Sequence, residues 1–99
     1  MEFLVELQMI VPEGATDAEI EAHTQAETTA AVELGQAGHL ERVWTVSRAP
    51  GRWNGLSLYR ADSETELLGI LHHLPLARAG WMSAIVKPLE PSANDPNPL

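Results

Sequence analysis

Glu27 and His23 stand four residues apart in a segment whose apolar positions recur every three or four residues: Ile20, His23, Glu27, Ala30, Ala31 and Leu34. That recurrence is a helix face turned toward a core, so the spacing predicts a helix with a carboxylate on its apolar stripe. The other acids of the segment, Asp17, Glu19, Glu21 and Glu33, fall off the stripe or at its edge, where water reaches them. A carboxylate withdrawn from water resists ionising, and its pKa climbs toward the range in which it can take and return a proton. His23, one turn earlier on the same face, is spaced to share a hydrogen bond with it. The same spacing also suits a solvated or capping glutamate, or one half of a buried ion pair, and neither of those does chemistry.

Cations are scarce, which makes their positions informative. Arg42, Arg48 and Arg52 lie close together in sequence with Trp44 and Trp53 interleaved. In an acidic chain such a cluster is a candidate clamp for a small carboxylate, because the guanidinium fork matches that geometry. The alternative is surface arginines balancing acidic neighbours. His72 and His73 are adjacent, and neighbouring helical residues point about 100° apart, so one ion could not take both without distortion. No metal site is expected. Ser47 and Ser57 have no histidine close in sequence, and no glycine-rich phosphate loop is present, so neither a nucleophilic triad nor a nucleotide is indicated.

The elements that must position these groups can be read along the chain. Phe3, Val5, Leu7, Met9 and Val11 alternate as one side of a first strand, which Pro12, Glu13 and Gly14 break. Thr16 and Glu19 form a capping box that opens a helix running to about Gly38. A second strand follows over 40–47, and Ala49-Pro50-Gly51 is turn chemistry before a third strand over 53–61. Ser63 and Glu66 make a second capping box. Its helix carries Leu67, Leu68, Ile70, Leu71 and Leu74 and stops at Pro75. A fourth strand is expected over 81–86. The order βαββαβ predicts a ferredoxin-like α+β plait, an antiparallel four-stranded sheet with both helices on one face. The expected domain spans 1–88, and the proline-rich stretch 89–99 is a tail or an arm laid across a neighbour.

Composition sets outer limits. The chain has 99 residues, no cysteine, and 14 acidic against 6 basic side chains for a net charge of −8. One domain fits, while a disulfide framework or thiolate site does not. The acidic balance argues against nucleic acid, whose binders show basic patches. No apolar run approaches the roughly 18 residues that would cross a membrane, and the acidic N-terminus is unlike a secretory leader. A cytoplasmic location is the expectation. Helices covering only one sheet face leave the other, with Trp44 and Trp53, too apolar for water, so a homodimer packed sheet to sheet is expected.

Several local signatures, in order, resemble the muconolactone isomerase family of the dimeric α+β barrel superfamily. They are Val11-Pro12, Ala26-Glu27, the Gly38 to Trp44 approach to strand two, Gly51-x-Trp53 with Ser57, Leu74-Pro75-Leu76, and Trp81-Met82, spread over about residues 1–90. The resemblance implies a cofactor-free isomerase of aromatic catabolism by the β-ketoadipate route, assembled as a homodimer and built into a larger homo-oligomer. Such an enzyme moves a proton between carbons of a small unsaturated lactone bearing an acetate arm, and the family's proton-carrying carboxylate falls on Glu27. The candidates for substrate binding in such a site are His23, Arg48, Arg52, Trp53, Asn54 and Trp81. Arg48 or Arg52 would hold the acetate arm, and Arg52, Asn54 or the Trp53 N–H would meet the enolate charge. The chain carries Trp53-Asn54-Gly55 where the family tends to have a Tyr-Ala-Asn run, and a one-residue shift in a strand turns a side chain to the opposite face. Two further readings remain open: a cofactor-free monooxygenase or chlorolactone dehalogenase on the same scaffold, and a non-catalytic binding module in which Glu27 is a salt-bridged structural acid.

Overall fold

The first strand, β1 (Glu2–Met9), buries Phe3, Val5, Leu7 and Met9 and leaves the residues between them less covered. This is the period-two pattern of a strand with one face on a core. The structure is a computed structural model that describes residues 1–49 and 52–97, with side chains described for 1–46 and 54–97. After β1 come α1 (Asp17–Gln36), β2 (Leu40–Ala49), β3 (Arg52–Arg60), α2 (Glu64–His72), α3 (Pro75–Arg78) and β4 (Met82–Leu89). The strands form one antiparallel sheet in the order β2-β3-β1-β4, with the helices on one face. The fold is the expected ferredoxin-like α+β plait.

Local chemistry explains the element ends. Thr16 Oγ1 accepts from Glu19 N–H at 3.1 Å, and Glu19 reaches back to the Thr16 N–H, closing the capping box. At the other end Gly38 takes φ +82°, and His39 N–H donates to Leu34 O while Gly38 N–H donates to Gly35 O. These paired bonds satisfy carbonyls that the last turn would otherwise orphan. Ser63 caps α2 through the Glu66 N–H at 3.1 Å. α2 stops at His72, two residues before the leucine expected to end it, and Pro75 begins the short helix α3, which the sequence pattern does not announce. Proline suits a first helical position, where an N–H has no intrahelical acceptor. β4 also extends past the expected Val86 through Pro88 to Leu89. It is an edge strand, and there a residue without an N–H is tolerated.

The core lies between sheet and helices in two adjoining clusters. Phe3, Val5, Leu7, Tyr59, Leu67, Leu71 and Leu74 form the larger one, against which Ala30 and Leu34 of α1 pack. Met9, Leu76 and Trp81 form the smaller one, with Val11, Ala15 and Ile20 against it. The register sets the other face: Trp44, Leu56, Glu6 and Ile85 line up across the four strands. Trp44 and Ile85 keep 45% and 58% of their surface exposed, so this face is apolar and uncovered in the single chain. No helix among the described residues is long and apolar enough to cross a membrane.

Candidate functional site

In α1 the half-buried residues are Ile20, His23, Thr24, Glu27, Ala30, Ala31 and Leu34, which is the expected stripe with Thr24 added. Asp17, Glu19, Glu21 and Glu33 are exposed. No residue of α1 is fully buried, so the face that carries Glu27 remains reachable from solvent along its length.

Glu27 crosses from α1 to the start of α3, where its Oε2 accepts the Leu76 N–H at 2.9 Å. The reason is local. Pro75 opens α3 without an N–H, and the Leu74 side chain supplies no cap, so the Leu76 amide is the first donor there in need of a partner. Two effects then oppose each other at the carboxyl. Burial raises its pKa and the Leu76 hydrogen bond lowers it; burial is the larger, so Glu27 sits above the ordinary carboxylate value of 4.5. Among the described residues no lysine, arginine or histidine pairs with Glu27.

Leu76 also joins the acid to an aromatic pair. Its carbonyl accepts the Trp81 N–H at 2.8 Å, and the Trp81 carbonyl accepts the Ile10 N–H. The buried Trp81 indole meets the His23 ring with centroids 4.1 Å apart and planes tilted by 49°. Glu27, Leu76, Trp81 and His23 therefore close a ring of contacts, with one turn of α1 as its fourth side. The expected His23–Glu27 hydrogen bond is corrected: among the described residues Glu27 bonds the Leu76 amide, and His23 is turned onto Trp81.

The other sequence-derived candidates divide. Asn54 pairs with Gln8 at the end of β3, is exposed, and lies with Glu6, Leu56 and Ile85 around a hollow of about 400 Å³ on the outer sheet face. It is on the opposite side of the sheet from Glu27 and cannot share a pocket with it within one chain. The strand alternation that buries Gly55, Ser57 and Tyr59 toward the helices turns Asn54 outward. The side chains of Arg48, Arg52 and Trp53 lie outside the described residues; their backbones pair Arg48 with Trp53 across β2 and β3. His73 Nδ1 contacts the Gly69 carbonyl at 2.7 Å, and among the described residues no cluster of His, Asp or Glu could hold a metal ion.

Two contributors escape the sequence reading. One is the Leu76 amide, a main-chain donor with no side-chain signature beyond the proline before it. The other is Tyr59, 2% exposed on the helix-facing side of β3, whose phenol is pushed up to about 12 by burial and by the charge of Glu27. Its alternation with Ser57 could have placed it there. A groove of about 590 Å³ between α1 and α2 starts one turn beyond Glu27, lined by Ala30, Leu34, Ile70 and Leu74 with Glu33 and His73 on its rim. Glu27 lines neither hollow.

No curated protein matches the chain. Among solved structures, a muconolactone isomerase superposes with a TM-score of 0.82 at 20% identity, covering 99% of this chain and 97% of that one. A 5-chloro-2-hydroxyhydroquinone dehydrochlorinase from Burkholderia phenoliruptrix gives 0.64 at 13% identity over 91% and 94% of the two chains. A cofactor-independent oxygenase from Streptomyces nogalater gives 0.53 at 13% identity over 95% and 97%. These likenesses establish the fold. The profile of the muconolactone delta-isomerase family matches residues 1–95, and by that match over nearly its whole length the chain belongs to the muconolactone delta-isomerase family.

Proposed function

We propose that this protein is a cofactor-free isomerase of a small unsaturated lactone carboxylate of the muconolactone type, with Glu27 as its proton carrier. The observation that carries the reading is the state of Glu27: half-buried, raised in pKa, held by one oxygen on the Leu76 amide, and without a cation among the described residues. A salt-bridged structural acid would have its pKa lowered instead. With Oε2 engaged, Oε1 is the oxygen free to work. It takes a carbon-bound proton from the lactone ring, the electron pair spreads onto the ring carbonyl as a dienolate, and the same proton returns at another ring carbon. A base poised above the ordinary carboxylate range gives the proton back as readily as it takes it. His23 and Trp81 would form an aromatic wall beside the ring, and Arg48 or Arg52 would supply the cation for the acetate arm.

The test is an ultraviolet assay of muconolactone turnover by the wild type and Glu27→Gln in parallel. Loss of at least about 100-fold in kcat for the variant is expected. Turnover unaffected by the substitution would remove Glu27 from the chemistry. A second reading, loss of chloride from a chlorinated lactone, uses the same base and is suggested by the dehydrochlorinase that shares the fold. Chloride release without double-bond migration would select it.

A further inference from the structure

Proton abstraction leaves negative charge on the lactone oxygen, and a donor must meet it in a place that water does not dominate. Asn54 is on the wrong face for that task. We propose that Tyr59 is the second catalytic group, its phenol O–H donating a hydrogen bond to the dienolate oxygen while Glu27 holds the proton. The assignment rests on the isomerase reading above and adds to it the residue that stabilises the intermediate.

Three observations carry it. Tyr59 stands on the helix-facing row of β3 with Gly55 and Ser57, the row directed toward α1. It belongs to the same cluster as Ala30, one turn beyond Glu27, and Leu74, two residues before the amide that anchors Glu27. Its side chain is almost wholly buried, in a place that water does not dominate. A donor held there meets little competition from water for a developing oxyanion. The phenol also keeps its proton throughout the working range, because burial and the Glu27 charge both oppose its ionisation. It is thus a donor that never becomes an anion competing with the substrate. The balance is simple: the ring proton moves to Glu27 and back, and the Tyr59 proton stays on its oxygen.

Tyr59 is the only tyrosine of the chain, so protein labelled with ζ-13C tyrosine gives a single resonance from it. The probe is tetronate, the anion of a five-membered hydroxylactone that, like the dienolate, carries negative charge on the exocyclic oxygen of the lactone carbonyl. It is titrated into Glu27→Gln, where the neutral amide stands in for the protonated acid. The expected results are a shift of the Tyr59 resonance on binding and about tenfold or more weaker binding when Tyr59→Phe is added. In the otherwise wild-type protein, Tyr59→Phe should lower kcat by about 100-fold, with KM within about twofold and the circular dichroism spectrum unchanged. Full turnover by Tyr59→Phe overturns the assignment and leaves Glu27 as the base. Tetronate binding that depends on Tyr59 in a protein that turns over no muconolactone keeps the donor and refutes the substrate. Absence of both binding and turnover removes both.

Discussion

The carboxyl of Glu27 is destabilised in the fold when ionised, and that has a measurable signature. Its folded pKa lies above its unfolded value, so the native state holds the proton more tightly between the two. Stability from this group is fullest below the unfolded pKa and declines as pH rises through the folded one. Glutamine keeps an oxygen for the Leu76 amide but carries no charge. Glu27→Gln should therefore melt with the wild type in acid and above it at neutral pH, while losing activity; a variant less stable at neutral pH would show that the charge is needed by the fold. The same shift predicts that the acid limb of the kcat/KM profile lies above the ordinary value of 4.5 and flattens when Glu27 is replaced. At this scale the sequence was informative for one residue and silent for its partners. A glutamate on an apolar stripe is visible as a pattern, whereas a main-chain amide across the fold has no letter of its own.

Helices and strands were legible where a period or a cap announced them. The two N-caps, the α1 stripe and the alternation of β1 all read directly, because each is a local rule. β3 was harder. Leu56 and Leu58 are apolar on the outer face while Gly55, Ser57 and Tyr59 are buried on the inner one, so hydrophobicity did not say which phase faced the helices. α3 was invisible because four residues hold no period. The segment that leads from α3 into β4 depends on Gly80, which adopts φ +76° with nothing within 4 Å of an added Cβ. Gly80→Ala should cost about 1 kcal/mol through backbone strain alone. Gly69 in α2 meets equally open space without that conformation, and Gly69→Ala should instead stabilise by up to about 1 kcal/mol. Urea midpoints of the two variants, opposite in sign, check the pair.

Taken as a whole, the molecule has a covered face and a bare one. The row Trp44, Leu56, Glu6 and Ile85, with Val46 beside it, exposes large apolar side chains next to one another, the kind of surface that marks an interface. A homodimer closed through this face is expected from sedimentation velocity at micromolar concentration. Ile85→Glu, which places a charge at the β4 end of the row beside Glu6, should shift the wild-type boundary toward a monomer without changing the circular dichroism spectrum. A wild type that already sediments as a monomer would refute the assembly. What the ring of contacts means over longer times is a separate matter. An amide of the chain survives every replacement at position 76 except proline, so the mooring of the acid belongs to the path of the backbone and to no particular neighbour. Walls around it are free to drift toward new ring shapes, and the oxygen that ferries the hydrogen keeps its berth while they do.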